Sequence, residues 1–379
     1  MSTPNIFFKQ KPCVFYFLVF CFCVLLSYQD SLAKENLDLI TLPAGFEIQV
    51  YASNVPNARA MALGPEGTLF VGSRSAGNVY AVVDQDKDRQ ADKVYVIAKG
   101  LRAPAGVSIK DNALYVSAVN KILRFDRIES QLSAPPAPVL ITDQLPNKRH
   151  HGWKFIDFGP DGLLYVPVGA PCNVCRVSDP FGTILRMNKD GSNIEVFARG
   201  VRNSVGFAWH PRTSEMWFTD NGRDNLGDNQ PPGELNKAST SGLHFGFPFC
   251  HGASVSDPRF GHLYPCTNFQ APAQLLGPHV APLGITFYEG EMFPEEYAES
   301  IFIAEHGSWN RKEKIGYRIM VVKLNKDGNP TTYKVFAEGW LQGERSWGRP
   351  ADVIVLDDGS LLVADDAAGV IYRISYTEQ

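Results

Sequence analysis

Two adjacent histidines, His150 and His151, stand in the basic segment KRHHGWK at residues 148–154. A neutral imidazole can act as a general base near pH 7, because its ordinary pKa lies close to that value. The same pattern is also typical of a charged surface turn in which one imidazole caps a backbone group. The segment is therefore a candidate catalytic site that needs support from the rest of the chain.

Arginines accompany aromatic or amide side chains in three further segments. GVRN contains Arg202 and Asn203, HGSWNR ends at Arg311, and SWGRP contains Arg349. A guanidinium beside an aromatic plane suits a flat anionic ligand. Each segment alone is equally compatible with an arginine that holds the carbonyl groups of a packed loop.

Turn-forming residues dominate NGRDNLGD at residues 221–228, which is followed by ELN at residues 234–236. Exposed carbonyl and carboxylate oxygens suit a hard cation such as calcium, although an ordinary Asx-rich loop has the same composition. Upstream, DQDKDRQAD at residues 84–92 has acidic residues at positions one, three, five and nine. Arg89 replaces the turn glycine of a calcium loop there and no bidentate Glu follows, so a second calcium site and a solvated charged turn both stay open.

Short β-type runs recur along the chain and must position these segments. Six units, each a strand, a polar turn and a second strand, begin near residues 62, 107, 156, 207, 285 and 353. They predict an all-β, six-bladed β-propeller occupying residues 34–379 as a single domain. A β-sandwich or two stacked β-domains is the alternative. We expect the long loops between residues 219 and 283, and between 305 and 350, to gather at one mouth of the central channel.

The composition fits a globular protein and excludes other classes. The chain has 379 residues and is 44% hydrophobic, which is enough to bury a core and argues against disorder. Its 36 basic and 40 acidic residues give a net charge of -4. The chain therefore lacks the overall basic charge expected of a protein that binds nucleic acid.

Residues 1–33 have the features of a secretory signal peptide. Lys9 and Lys11 precede the uncharged run VFYFLVFCFCVLL at residues 14–26, and SLA at residues 31–33 is a small-x-small cleavage signal. The run is shorter than the about 20 apolar residues of a membrane span, with an uncleaved anchor as the alternative. We expect a periplasmic or secreted protein that has no membrane span after cleavage.

Removal of this segment leaves four cysteines, Cys172, Cys175, Cys250 and Cys266. An even number in an exported protein indicates disulfides. We predict pairing between neighbours, Cys172 with Cys175 and Cys250 with Cys266, although four cysteines allow three connectivities. We interpret the CxxC segment as a structural tie, because no haem-attachment histidine follows it and no second CxxC completes a zinc site.

Taken together, NGRDNLGD, HGSWNR, WGRP, VGAPCNVC and DDAAGVIYRISY resemble motifs of the quinoprotein sugar dehydrogenases, the soluble glucose/aldose and sorbosone dehydrogenase group. The resemblance extends from about Leu42 to Tyr376 and is closer to the sorbosone branch. It implies a six-bladed propeller that uses pyrroloquinoline quinone (PQQ) and calcium. It also implies the oxidation of a sugar, a sorbosone-like sugar aldehyde, or a related polyol or alcohol.

The resemblance assigns a catalytic base and a metal loop. Counting eight positions back from Gly159 of the GPDG turn gives His151 as the base, with His150 as the fallback. The backbone carbonyl groups of Gly222 and Arg223 match the loop that holds calcium in the family. In this interpretation the base takes a proton from the substrate hydroxyl or aldehyde hydrate while hydride passes to the quinone.

The resemblance also assigns anchors for the cofactor. Arg202 and Asn203 match an Arg-Asn pair of the family, and Arg349 and Arg311 match anchors for the cofactor carboxylates. Lys154 stands where the family usually has arginine. A lysine keeps the charge but lacks the planar fork of donors, so its contact with cofactor or substrate must differ.

Two partners follow from this interpretation, and two other functional classes stay open. The partners are the small sugar or aldehyde substrate and a separate electron acceptor, a quinone or cytochrome, because the chain has no haem-attachment motif. One rival is a calcium-dependent, lactonase-type hydrolase, which would favour Asp, Glu and Asn ligands over a ring of arginines. The other is a non-catalytic, ligand-binding propeller, in which His151 and the basic residues need not converge.

Overall fold

The computed structural model describes residues 36–378, which are built almost entirely of β-strands. After the first strand, β1 (Phe46–Ala52), three four-stranded antiparallel sheets follow in chain order. Blade one is β2 (Ala58–Leu63), β3 (Leu69–Ser73), β4 (Val79–Val83) and β5 (Lys93–Ala98). Blade two is β6 (Val107–Lys110), β7 (Ala113–Ser117), β8 (Ile122–Asp126) and β9 (Val139–Thr142). Blade three is β10 (Asp157–Phe158), β11 (Leu164–Val168), β12 (Thr183–Met187) and β13 (Glu195–Arg199).

The second half of the chain adds three more sheets and two small hairpins. Blade four contains β14 (Gly206–Trp209), β15 (Met216–Asp220), β16 (Pro232–Ala238) and, after an inserted hairpin of β17 (Cys250–His251) and β18 (Val255–Ser256), β19 (Gln274–Pro278). Blade five is β20 (Pro282–Phe287), β21 (Ile301–Glu305), β22 (Arg318–Leu324) and β23 (Pro330–Glu338). The hairpin of β24 (Leu341–Gln342) and β25 (Arg345–Ser346) then leads to blade six, which is β26 (Pro350–Val355), β27 (Leu361–Asp365), β28 (Val370–Tyr376) and β1.

Strand β1 closes the ring of blades. It pairs antiparallel with β28 from Phe46 opposite Tyr376 to Ala52 opposite Ile371, so the start and the end of the described chain share one sheet. Phe46 also packs edge-on against Phe293 and Phe336, with ring centroids 4.7 and 5.0 Å apart. The first strands of neighbouring blades lie side by side around the central channel.

Apolar residues alternate along the central strands because each blade packs on both of its faces. In β3, Leu69 and Val71 contact the cluster shared with blade six, and Phe70 contacts the cluster shared with blade two. In β7, Leu114 and Val116 face blade one while Tyr115 faces blade three. Successive side chains point to opposite faces of a sheet, so a strand buried on both faces has a continuous apolar sequence.

The predicted six-bladed β-propeller is confirmed. Both predicted disulfides are present, Cys172–Cys175 and Cys250–Cys266. The predicted signal peptide at residues 1–33 lies outside the described residues, as do the remaining three cysteines. Every helix within residues 36–378 is a single 3-10 turn, far too short to span a bilayer.

Candidate active site

A cavity of ≈ 710 Å³ opens at one mouth of the central channel. Its wall comes from two kinds of position, the connections that lead into the first strand of a blade and those that leave the second strand. Trp153 and Arg349 precede β10 and β26, whereas Arg74 and Gly222 follow β3 and β15. First and second strands are antiparallel, so both kinds of connection meet at the same mouth.

His151 lies in the cavity wall and is 8% exposed. Its Nδ1 is 2.8 Å from the carbonyl oxygen of Ala170. Because a carbonyl oxygen only accepts, we assign the proton to Nδ1, which leaves the lone pair of Nε2 free. Burial, reinforced by Arg202 and by His150, lowers the pKa of His151 to about 2. The imidazole is therefore neutral and has the protonation state that a general base requires.

A second histidine of the wall, His306, forms a buried polar cluster with Asp366 and Arg59. His306 Nε2 lies 2.8 Å from Asp366 Oδ1, and Arg59 Nη1 lies 3.4 Å from Asp366 Oδ2. Burial lowers the pKa of His306 to about 4, although Asp366 opposes the shift. Burial alone would raise the pKa of Asp366, yet Arg59 and His306 bring it well below its ordinary value.

Among the described residues, five arginines and one carboxylate, that of Asp224, line this cavity. The arginines are Arg59, Arg74, Arg149, Arg202 and Arg349. Arg59 is the most informative of them. It is 5% exposed, and its Nη1 makes no hydrogen bond with any described residue. An unsatisfied buried donor is costly, and a charged one more so. The same Nη1 is ion-paired with Asp366 at 3.4 Å, so its charge is balanced and only its hydrogen bond is unmade. An anionic ligand beside Arg59 would supply that hydrogen bond.

Arg202 is held by the CxxC loop and by the loop after β15. Its Nε donates to the carbonyl of Asn173, and its Nη2 donates to the side-chain oxygens of Asn173 and Asp224, at 2.9 to 3.1 Å. Nη1 donates to the carbonyl of Asn221. Four of its five N–H donors are thus used within the protein. Arg202 positions two loops of the wall and keeps one donor for a ligand.

Arg349 and Asn203 also lie in the wall, and the protein uses them only in part. Arg349 Nε and Nη2 each donate at 3.1 Å to the carbonyls of His306 and Gly307, and its guanidinium lies 5.4 Å from the ring centroid of Tyr317. The backbone N–H of Asn203 donates to the buried carboxylate of Asp220 at 2.6 Å. These contacts fix the side chain of Arg349 and the backbone of Asn203 at the cavity.

The structure separates the two residues assigned to calcium. Gly222 lines the cavity, whereas Arg223 does not. The Arg223 side chain turns outward to pair with buried Asp257, Nη1 to Oδ2 at 2.5 Å. Asp224, next in the loop, accepts hydrogen bonds from Arg202 and from Asn310. The loop thus brings carbonyl, amide and carboxylate oxygens together at the cavity, a donor set of the kind that calcium prefers.

Three acidic side chains of the 84–92 segment converge on the outside of blade one. Ligand oxygens of Asp84, Asp86 and Asp88 all lie within 4.8 Å of one another. Asp84 Oδ2 also accepts the backbone N–H of Arg89 at 3.0 Å, as in an ordinary turn. Calcium binding at this segment stays a prediction.

Lys154 and Arg311, both assigned to the cofactor, do not line the cavity. Lys154 is 1% exposed, because the chain turns inward after Trp153, and its Nζ donates to the carbonyl of Gly152 at 2.9 Å. Burial lowers its pKa to about 8. Arg311 points outward and donates to the backbone carbonyls of Glu313 and Asp228. The structure thus brings together His151, Arg202, Asn203, Gly222 and Arg349, and it leaves Lys154, Arg223 and Arg311 outside the wall.

Sequence reasoning missed several residues of the wall. Arg59 stands inside an ordinary strand, ARAMAL, and Arg74 follows the next strand without any motif. Their position in the repeat was the available signal, because the first strand of each blade begins, and the second ends, at the same mouth. His306 and Trp309 belong to HGSWNR, the segment from which the sequence predicted only Arg311 as a site residue.

A family profile and a curated protein match most of this chain in sequence. The profile of the glucose/sorbosone dehydrogenase family matches residues 56–373. An uncharacterized protein of Borreliella burgdorferi is 36% identical over 375 residues, covering 95% of this chain and 97% of its own.

Two solved structures share the fold at low identity. The holo form of the PQQ domain of pyranose dehydrogenase from Coprinopsis cinerea has a TM-score of 0.75 and 18% identity, covering 89% of this chain and 97% of that one. The calcium structure of a Trichoderma reesei carbohydrate-active enzyme of family AA12 has a TM-score of 0.74, 18% identity and the same coverage. Both are propeller relatives of this chain in fold.

Proposed function

This chain belongs to the glucose/sorbosone dehydrogenase family, and from that premise we propose that it is a quinoprotein oxidoreductase. It uses PQQ and calcium to oxidise a sugar, a sugar aldehyde or a related alcohol. The observation that carries this proposal is the arginine-lined cavity, in which Arg59 is 5% exposed and its Nη1 has no hydrogen-bond partner among the described residues.

The residues of the cavity fit a flat, multiply charged cofactor. PQQ has three carboxylates, and Arg59, Arg202 and Arg349 are the three buried or half-buried arginines of the wall. Charge-assisted hydrogen bonds from these guanidinium groups would hold the carboxylates. Asn203 would contribute a neutral donor, and Gly222, which lines the cavity, would bind calcium through its backbone carbonyl. When bound, PQQ supplies an o-quinone that accepts a hydride equivalent from the substrate.

His151 is the base of this proposal. Its Nδ1 donates to Ala170, so Nε2 takes the proton of the substrate hydroxyl. The neighbouring positive charge of Arg202 and the burial of the ring keep the imidazole neutral before the reaction. General-base assistance of this kind contributes about 10²- to 10⁴-fold in rate. Trp309, also in the wall and 72% exposed, offers an apolar face to the substrate.

The electron acceptor and the cellular location belong to the same proposal. The chain has no haem-attachment motif, so the electrons must pass to a separate quinone or cytochrome. Residues 1–33 would export the chain to the periplasm or the medium, where sugars and such acceptors meet.

The distribution of charge argues against the hydrolase alternative. A lactonase-type propeller holds its cation through several carboxylate or amide ligands, whereas Asp224 is the one carboxylate lining this cavity within residues 36–378. A non-catalytic propeller does not require a buried, neutral histidine to face a group of arginines. The convergence of His151 with five arginines therefore favours the dehydrogenase.

A dye-reduction assay tests the proposed function. The purified chain is incubated with PQQ and Ca²⁺ and then given aldoses, sorbosone-type aldehydes or polyols with an artificial electron acceptor. We expect dye reduction that requires both PQQ and Ca²⁺ and that disappears when a chelator is added during reconstitution. The absence of both quinone binding and dye reduction across the panel would contradict the proposal.

A further inference from the structure

We infer that the substrate of this dehydrogenase is a carbohydrate that carries a carboxylate or phosphate group, bound at the rim of the cavity by Arg74 and Arg149. This inference rests on the proposed function and adds the chemical class of its substrate. It follows from the number, burial and partners of the arginines around the cavity.

The five arginines of the wall divide into two groups. Arg59, Arg202 and Arg349 are buried or half-buried and contact protein acceptors: Arg59 lies 3.4 Å from Asp366, Arg202 pairs with Asp224 at 3.1 Å, and Arg349 donates to two carbonyls. Their number matches the three carboxylates of PQQ. Arg74 and Arg149 are exposed and form no ion pair with a described residue. A cofactor that occupied the deeper group would leave these two charges at the rim uncompensated.

The aromatic residues of the rim orient the guanidinium of Arg74. The Arg74 guanidinium lies over Trp153, 4.5 Å from the ring centroid, and such stacking holds the planar fork in one orientation. Trp309 is 72% exposed although it lines the cavity. The exposed indole face of Trp309 suits the apolar face of a sugar ring, and a fixed guanidinium suits bidentate binding of a carboxylate or phosphate. The rim thus combines a carbohydrate surface with an anion site.

The second arginine of the rim, Arg149, is adjacent in sequence to the histidine pair. His150, which is exposed, contacts His151 with ring centroids 4.1 Å apart and ring planes tilted by 48°, and Arg149 precedes it. Arg149 is therefore attached directly to the segment that carries the proposed base. An anionic group bound between Arg74 and Arg149 would lie beside that segment, while the rest of the sugar extends into the cavity.

Calorimetric titration tests the inference on the chain loaded with Ca²⁺ and with reduced PQQ, which cannot oxidise the sugar, so that the heat reports binding alone. The ligands are D-glucuronate, D-glucose 6-phosphate and the neutral comparator D-glucose, in one buffer of fixed ionic strength. We expect at least one of the two anionic sugars to bind about tenfold more tightly than glucose, the value of one charge-assisted hydrogen bond. Tighter binding of glucuronate would indicate a site for a carboxylate, and tighter binding of glucose 6-phosphate a site for a phosphate.

Variants assign the preference to the rim. Arg74→Gln and Arg149→Gln should each weaken binding of the anionic sugar about tenfold and weaken binding of glucose by clearly less. Arg212→Gln is the matched control, because Arg212 lies in the turn between β14 and β15 at the opposite mouth and pairs with Glu299. Equal affinities for the three sugars, or equal loss for all three in the rim variants, would overturn the inference.

The outcome separates this inference from the proposed function. Dye reduction with glucose but no preference for an anionic sugar would contradict the inference alone. If the chain fails to bind PQQ, that failure contradicts the proposed dehydrogenase, and the titrations are repeated without PQQ. Loss of anionic-sugar binding in the two rim variants would then still support the anion site.

Discussion

Two histidines of the cavity wall, His151 and His306, stay neutral beside several arginines. His151 and His306 both have lowered pKa values, because burial and nearby arginines disfavour the protonated ring. They differ in the orientation of the ring. Nδ1 of His151 faces a carbonyl, whereas Nε2 of His306 faces the carboxylate of Asp366. His306 is thus committed to an ionic cluster with Arg59, and His151 retains the free nitrogen of a base.

Replacing His151 tests the assignment of the base. We expect His151→Asn to lower kcat by about 10²- to 10⁴-fold, because it removes general-base assistance without adding a charge. PQQ binding, measured by equilibrium titration, should change little. The matched control is His150→Asn, which alters the exposed neighbour and should keep most of the activity. Full activity of His151→Asn with bound PQQ would contradict the assignment.

The sequence located some site residues and misplaced others for a physical reason. Trp309 lines the cavity but Arg311, two residues later, points away and donates to backbone carbonyls. A motif indicates which loop reaches the mouth, but the direction of each side chain depends on turn geometry and on partners distant in sequence. Arg59 illustrates the converse, because its partner Asp366 lies at the other end of the chain.

At the scale of elements, the CxxC loop fixes the wall that faces blade four. Asn173, between Cys172 and Cys175, accepts two hydrogen bonds from Arg202 and exchanges two with the backbone of Asp224. The disulfide closes this loop, so it holds Asn173 in place. The sequence predicted the Cys172–Cys175 disulfide but not its contacts with the cavity wall, since neither Arg202 nor Asp224 is near it in the chain.

Removing the Asn173 side chain should loosen the cofactor site without unfolding the propeller. We expect Asn173→Ala to reduce PQQ affinity in the presence of Ca²⁺ about 10- to 100-fold, the usual effect of losing a group that orients site residues. The melting temperature should stay close to that of the wild type. Asn188→Ala, in an exposed turn of the same blade, is the control. Unchanged PQQ affinity in Asn173→Ala would argue against this positioning role.

The blades themselves were predictable because their sequence is locally determined. Alternating apolar residues and Pro/Asp/Gly turns define a strand pair within about ten residues, and both faces of the pair are buried. The long insertions were predictable only in their location. The hairpins β17–β18 and β24–β25 and the packing of those loops depend on contacts with other blades.

Considered as a whole, the propeller has guanidinium groups at one mouth of its channel and carboxyl groups at the other. A second cavity, of ≈ 370 Å³, opens at the mouth opposite the arginines and is lined by Asp157, Glu289 and Asp352. Asp352 is buried on β26 and accepts the backbone N–H of Met61 at 2.7 Å. Burial raises its pKa to about 7, in spite of this bond and of nearby Arg59.

This raised pKa makes the stability of the propeller depend on pH. The folded state keeps the proton of Asp352 where the unfolded state releases it, so the free energy of unfolding falls as the pH rises from about 4 to about 7. Asn cannot ionise and still accepts from Met61. Asp352→Asn should therefore melt at a higher temperature than the wild type at pH 8 and at a similar one at pH 4.

Thermal unfolding at the two pH values checks this prediction. Asp327→Asn serves as the control, because Asp327 is exposed in the turn between β22 and β23. The control should shift the melting temperature equally at both pH values. A destabilised Asp352→Asn at pH 8 would mean that the ionised carboxylate stabilises the channel.

The central claim is that the arginine-lined mouth holds PQQ, and an equilibrium titration of PQQ into the chain with Ca²⁺ tests it most directly. Arg59→Gln removes the buried guanidinium whose Nη1 makes no hydrogen bond with a described residue. We predict saturable one-to-one binding to the wild type and about 10- to 100-fold weaker binding to Arg59→Gln, the loss expected for a buried charged hydrogen bond. Absence of saturable binding to the wild type, or equal affinity in the folded variant, would contradict it.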